Sequence, residues 1–443
     1  MASLSSQSYK GTRDYYPEDK RIQNYIFHTW AKVAEQFGYE EYGAPLLEPL
    51  ELYTAKSGQE LAGEQTYVFK DRGDRIVTIR PEMTPSISRM VAARRQELPM
   101  PARLYSIANF MRYERPQRGR EREFWQMNVD LFGVESLRAE AEIITMASRS
   151  LLAFGASEDM FTIRVNNRSL IDFIMTNYLK LDVVQSQLMT KLFDRKDKIS
   201  AEEFRDQATE IFGEEHANDG LVKLSALLSA RTMKELPEIV RESPALEDIQ
   251  EVFTYLEQAG VHNARFDSTL MRGLDYYTGT VFEVFDTHPD NRRALFGGGR
   301  YDGLVGLFGV DPVPTIGMGL GATTVQQFLE VHDLLPKLPS TTELYMIVLG
   351  DVQTKATQLA DQLREEGVNV EVDITSRKLD KQIKTAVKKS IPHIVFIGEE
   401  EIASGVYPLK DTLTSNEQKV DLSRMVSLVK DHRRKVDDEF DIF

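Results

Sequence analysis

Two strand-like runs, ARLYSIANFMRYE and REFWQMNVDLFGV, stand either side of one short turn. Each alternates or masses apolar residues in the manner of a strand, and so short a link leaves them one arrangement, an antiparallel hairpin. The link is cationic: Arg112, Arg115, Arg118, Arg120 and Arg122 fall within eleven residues of a chain whose net charge is −15. Arginine presents a rigid fork of donors that matches phosphate oxygens. Gly119, between Arg118 and Arg120, would let two forks approach one polyanion from different sides. The ordinary alternative for such a run is a salt-bridged surface hairpin.

Around this hairpin the chain divides by pattern. RIQNYIFHTWAKVAEQF has helical spacing and ends at Gly38, YVFKDRGDRIVTIRP reads as a second hairpin, and SLRAEAEIITMASRSLLAF reads as a strong helix. Residues 168–262 are acidic and helical without a good strand. Strands then resume in TLMRGLDYYTGTVFEVFD and ALFGGGRYDGLVG. The expected organisation is one domain in two parts, 1–167 and 263–333, with a helical insertion at 168–262, a linker at 334–340 and an α/β domain at 341–443. In that last part strands LYMIVLG, VNVEVDI and HIVFIG alternate with helices, which implies a partly parallel sheet.

Composition removes several chemistries. The 443 residues contain no cysteine, so neither a disulfide nor a thiolate centre can form, and the seven histidines show no metal-binding spacing. MASLSSQSYK has no apolar core of a signal peptide, and no stretch approaches the roughly twenty apolar residues of a membrane span. A soluble, cytoplasmic protein is expected. The acidic balance argues against a nonspecific nucleic-acid coat but leaves room for one local basic face.

Three further segments carry chemistry. RGLDYY places Arg272, Asp275, Tyr276 and Tyr277 before a strand; taken alone, the segment reads better as a strand edge with two packed tyrosines. Gly297, Gly298 and Gly299 would let backbone amides approach a ligand, or would form a tight turn; the pattern is neither a Walker loop nor GxGxxG. RPEMT sets Glu82 and Thr84 after a β-run, where a helix cap is the alternative.

Taken together, RPEMT at 80–84, RYERPQRGR at 112–120, RGLDYY at 272–277 and GGGRYDGL at 297–304 resemble the histidyl-tRNA synthetases, a class II aminoacyl-tRNA synthetase family. The resemblance starts at Gly11-Thr12-Arg13-Asp14 and covers nearly the whole chain. It implies an α+β fold, with an antiparallel six-stranded catalytic sheet flanked by helices, a helical insertion and a C-terminal α/β anticodon-binding domain. It implies ATP, L-histidine and tRNA(His) as partners, Mg2+ accompanying ATP, no protein side-chain metal site, and a homodimer marked by Pro45. Arg112 and Arg272 are implied as catalytic cations at the α-phosphate. Glu114, Arg120, Phe124 and Gln126 join them at ATP, with adenine stacked on Phe124. Glu82, Met83, Thr84, Gln126, Asp130, Tyr276 and Tyr277 are implied at histidine. Arg118, Lys381, Lys384 and Lys388 are expected against tRNA. Thr324 stands where the family's third motif carries an arginine, and Glu121, Glu123 and Trp125 also depart from the family pattern. A regulatory paralogue that binds histidine without catalysis therefore remains the alternative.

Overall fold

The computed structural model describes residues 4–54, 65–117, 119–196, 199–230, 232–271, 276–291, 293–375 and 377–440. Arg118, Arg272 and Asp275 lie outside the described residues. The chain forms two compact units, Met1–Leu335 and Pro336–Phe443.

The strands of the first unit are, in chain order, β1 (Glu40–Glu41), β2 (Leu47–Pro49), β3 (Tyr67–Lys70), β4 (Ile76–Ile79), β5 (Ala102–Met111), β6 (Glu123–Phe132), β7 (Phe161–Asn167), β8 (Ala264–Phe266), β9 (Thr280–Asp286), β10 (Ala294–Arg300) and β11 (Thr315–Gly321). Its main sheet has the order β1-β5-β6-β11-β10-β9-β7-β8. The six strands from β5 to β7 in that order are antiparallel throughout. This is the six-stranded sheet expected, extended at each edge by a short parallel strand, β1 on β5 and β8 on β7. Strands β2, β4 and β3 form a separate small sheet.

Alternation decides what each face of the main sheet holds. On β6, Met127, Val129 and Leu131 enter the hydrophobic core with Ile316, Met318 and Leu320 of β11. Helices Pro17–Gln36 and Arg138–Leu152 cover that face, giving Ile26, Trp30, Val33, Ile143, Ile144 and Met146 to the same core. Gln126, Asn128 and Asp130, with Gly317, Gly319 and Gly321, are left for the opposite face.

The three consecutive glycines form neither a turn nor a loop over a ligand. They lie within β10, paired to β9 on one side and β11 on the other. A Cβ at Gly297 would stand 2.3 Å from the Phe282 carbonyl oxygen, one at Gly298 would stand 2.1 Å from that of Gly317, and one at Gly299 would stand 2.7 Å from that of Thr280. Glycine is required because neighbouring backbone occupies the space a side chain would need.

Residues read as an insertion belong to the first compact unit but have their own core, built from Leu170, Ile174, Met189, Phe204, Leu224 and Ile249 among others. The boundary between units falls after Leu335, inside the stretch 334–340; Leu334 and Leu335 pack on the first core.

In the second unit, β12 (Leu344–Val348) is parallel to β13 (Val370–Val372) and to β14 (His393–Ile397), while β15 (Tyr407–Asp411) and β16 (Glu417–Val420) continue antiparallel. The sheet is partly parallel, as the alternation of strand and helix implies. Helix Gln353–Glu365 is followed by Gly367 at φ +78°.

The glycine argument is open to measurement. Gly317→Ala places a Cβ 2.2 Å from Asp130 Oδ1, whereas Gly43 has nothing within 4 Å. Gly317→Ala should lower unfolding free energy by about 1–3 kcal/mol, the cost of overpacking. Gly43→Ala should change it by less than about 0.5 kcal/mol. Denaturant midpoints for the two variants give the comparison, and equal values would contradict the packing account.

Candidate functional site

A cavity of about 590 Å³ lies on the polar face of the main sheet. Its wall gathers residues from five distant stretches: Glu82 and Thr84; Arg112, Glu114, Arg120, Phe124, Gln126 and Asp130; Tyr276 and Tyr277; Glu283 and Gly297; Gly317, Gly319 and Thr324. All the described residues expected at histidine or ATP are in this wall except Met83. Met83 is buried with Ala108 and Phe110, in an apolar cluster to one side.

The hairpin supplies one end. Arg112 donates from Nε to the Pro81 carbonyl at 2.9 Å, and its guanidinium lies 5.2 Å from the Phe124 ring centre. Phe124 in turn packs on Phe110, with ring centres 5.7 Å apart. Arg120 pairs with Glu114 at 2.8 Å. Gly119 takes φ +74°, so the turn needs glycine there. The four described arginines therefore do not act as one cluster. Arg112 and Arg120 reach the cavity, Arg115 is exposed, and Arg122 is buried away from the wall.

Glu82 and Thr84 come from the start of helix Thr84–Ala93, which has Pro85 in its first turn. Neither acts as a side-chain cap; the N-cap is Met83, without a side-chain hydrogen bond. Tyr276 donates from its hydroxyl to Glu82 Oε2 at 3.2 Å and packs against Tyr277, their ring centres 4.9 Å apart. The Tyr-Tyr pair is thus part of the wall, Tyr276 buried and Tyr277 half-buried, not merely a strand edge.

The most buried acid of the wall is Asp130, 2% exposed. Tyr301 donates its hydroxyl to Oδ1, while Oδ2 is buried without a hydrogen-bond partner. Burial raises this carboxyl from 3.8 to about 7, and the bond from Tyr301 opposes the rise. The tyrosines around it, Tyr39, Tyr42 and Tyr301, are held above their usual range, chiefly by burial. A fixed acceptor with one unfilled oxygen suits a ligand N–H.

Tyr301, Glu283 and Asn128 also line the cavity, although the sequence motifs give them no role. Strand parity could have found Tyr301, because it lies two and four residues beyond Gly299 and Gly297 on the same face. Arg300, one residue earlier, takes the other face. It forms a buried bidentate pair with Glu140 at 2.5 and 2.6 Å and donates to the Val134 carbonyl at 3.1 Å.

Thr324 sits in the first turn of helix Ala322–Val331. Its hydroxyl points to two backbone oxygens, Leu295 at 2.6 Å and Gly321 at 3.0 Å. It ties the helix to β10 and supplies no cation.

In the second unit, helix Leu379–Lys388 exposes Lys381, Lys384 and Lys388. The turn leading to it is pinned by Asp373, which accepts from the Tyr345 hydroxyl at 2.6 Å and from Arg377 at 3.1 Å.

The family model described as histidyl-tRNA synthetase matches residues 11–325, and that described as anticodon binding domain matches residues 343–432. A histidine–tRNA ligase of Leptospira biflexa is 41% identical, covering 98% of this chain and 99% of that protein. A histidine–tRNA ligase of Haloarcula marismortui is 34% identical, covering 94% of this chain and 96% of that protein. The crystal structure of histidyl-tRNA synthetase from Nostoc sp. PCC 7120 superposes with a TM-score of 0.81 at 23% identity, over 97% of this chain and all of that one. At that identity the structure speaks for the fold.

The Asp130 carboxyl gives this site a stability signature. Folded, it holds a proton that the unfolded chain releases between about 3.8 and about 7. Its contribution to stability is therefore complete below the lower value and lost as pH rises through the upper one. Without ligand, Asp130→Asn should melt higher than the parent at pH 8, and the difference should narrow as pH falls through about 7 and close only near 3.8. A difference that stays constant with pH would show that Asp130 does not titrate there.

Proposed function

This chain belongs to the histidyl-tRNA synthetase family, and on that premise we propose that it is a histidine–tRNA ligase, joining L-histidine to tRNA(His) through a histidyl-adenylate with release of AMP and pyrophosphate. The observation that carries the reading is the wall of one cavity, where Arg112 and Phe124 stand beside Glu82, Gln126 and Asp130. Cation and ring suit a nucleotide; carboxylates and amide suit an amino acid with a second nitrogen-bearing group.

The chemistry follows from that wall. A histidine carboxylate oxygen attacks the α-phosphorus of ATP and pyrophosphate departs. A hydroxyl at the 3′ end of tRNA then attacks the adenylate carbonyl and AMP departs. No protein nucleophile is required; the protein positions the two reactants and stabilises charge on the phosphate. Arg112 and Arg272 are assigned to that charge. Glu114 and Arg120 hold the adenine end with Phe124. Glu82, Thr84 and Gln126 receive the histidine ammonium, and Asp130, Tyr276 and Tyr277 its ring. Met83 contributes from behind, through packing that fixes Glu82 and Thr84.

Mg2+ is assigned to ATP as a counter-ion. Among the described residues no group of three acids or histidines could hold a metal by itself. Magnesium bound largely through phosphates and water needs few protein ligands, and Glu283 is the carboxylate placed on the wall beside Gly297. When bound, the ion neutralises the phosphates that leave as pyrophosphate.

Recognition of tRNA is assigned to Lys381, Lys384 and Lys388, and to Arg118 in the hairpin turn. The domain limits 1–167, 168–262, 263–333 and 341–443, with a linker at 334–340, go with the same reading. So does a homodimer: Leu47, Val68, Phe69 and Ile76 of the small sheet, with Leu46 beside it, are exposed apolar residues next to Pro45. A cytoplasmic location accompanies tRNA charging, and no described helix is long and apolar enough to cross a membrane. The regulatory alternative rested on Thr324. The relatives named as ligases extend over both units, including the anticodon-binding match, and favour the catalytic reading.

Histidine-dependent ATP–pyrophosphate exchange tests the assignment. Histidine should support exchange and other amino acids should not. Arg112→Ala should slow exchange by roughly 10²–10³-fold, the usual loss of one charge-stabilising donor, with an unchanged melting temperature. Exchange at the parental rate would remove Arg112 from the reaction.

A further inference from the structure

The motif Gly11-Thr12-Arg13-Asp14 and the last hairpin arginine, Arg122, have no part in the reaction set out above, yet they meet. Arg122 is 9% exposed. Its backbone N–H donates to the Gly11 carbonyl at 2.7 Å. Its side chain donates from Nε to the Glu114 carbonyl at 3.1 Å and from Nη1 to the Tyr9 hydroxyl at 3.0 Å. The guanidinium lies 4.1 Å from the centre of the Tyr113 ring and 5.6 Å from that of Tyr9. Its carbonyl accepts from the Arg112 N–H at 2.8 Å. One residue therefore ties the N-terminal segment to both arms of the hairpin.

The N-terminal segment is shaped for this contact. Thr12 folds back, donating to the Tyr9 carbonyl from N at 2.9 Å and from Oγ1 at 2.8 Å. Gly11 takes φ +87°, and a Cβ there would stand 2.8 Å from Cγ of both Arg122 and Pro116. Only glycine admits both the backbone angle and the approach. Two residues on, Arg13 lies 4.2 Å from the Tyr15 ring centre. Burial raises the carboxyl of Glu121, a hairpin residue in the cavity wall that accepts from Thr323 at 3.3 Å, and the Arg13 charge opposes that rise.

We infer that Ser8–Tyr15 is a strap that holds the arginine hairpin in its nucleotide-receiving shape, and that Arg122 is a positioning residue fastening the strap, not a phosphate ligand. Two of its donors are directed to protein oxygens and one face is covered by Tyr113. Turning it toward a polyanion would break the contacts that order the hairpin carrying Arg112, Glu114 and Arg120. The inference rests on the ATP reading of the cavity for its consequence, but the contacts themselves are independent of it.

Three full-length variants separate the possibilities. Arg122→Lys keeps the charge and loses the fork. Gly11→Ala crowds the strap. Tyr9→Phe removes one hydroxyl from a half-exposed ring, so folding is preserved. Each is measured for tryptic cleavage after Arg120 without substrates, for KM and kcat in exchange, and for melting temperature. Arg122→Lys and Gly11→Ala should speed cleavage and raise the KM for ATP about tenfold, the scale of one lost charge-assisted contact. Tyr9→Phe should shift both in the same direction by less. The KM for histidine and the melting temperature should hardly move. A higher KM for ATP in Arg122→Lys alone, with cleavage unchanged in all three, would make Arg122 a phosphate ligand and overturn the strap. Faster cleavage in the variants of a parent that shows no exchange would uphold the strap and refute the proposed reaction instead.

Discussion

At the centre of the main sheet, backbone packs where side chains would ordinarily be. Gly297, Gly298, Gly299, Gly317 and Gly319 each lack room for a Cβ because a carbonyl oxygen, Asp130 or Gln126 already occupies the place. The cavity exists because of this. Side chains of ordinary size at Gly317 and Gly319 would displace Asp130 and Gln126, the two groups that give the floor its chemistry. The cost is borne elsewhere, by apolar alternation on β6 and β11 and by the helices packed over it.

The same strands separate two electrostatic environments. On the cavity face, Asp130 is buried with a single donor from Tyr301 and rises to about 7. On the covered face, Arg300 and Glu140 are buried together with their hydrogen bonds largely filled. A buried pair of this kind adds little net stability but is costly to break, so it holds the end of β10 in one position. Tyr301, the next residue, is thereby aimed at Asp130. A sequence signature that joins glycines, an arginine and a tyrosine is thus one mechanical unit: clearance, anchor and pointer.

Much of this was legible in the chain. The hairpin at Arg112–Arg122 and its two strands followed from alternation and a short polar link, and the helices of residues 168–262 from three–four spacing. The residues at histidine and ATP were named through the family resemblance, and all but Met83 of those described line one cavity. What remained hidden depends on tertiary neighbours. The glycine run reads as a loop because nothing local says that strands flank it on both sides. Arg122 cannot be told from Arg112 by composition; burial beneath Tyr113 and Tyr9 separates them. Strands β15 and β16 are short and charged, and their pairing, not their propensity, makes them strands.

The most direct measurement is transfer of labelled histidine to a tRNA(His) transcript by the purified protein with ATP and Mg2+. The account predicts an alkali-labile histidyl-tRNA, formed only with histidine and with ATP consumed to AMP and pyrophosphate. Tight binding of histidine and ATP with no charged tRNA would contradict it and leave the chain a binding protein on a synthetase fold.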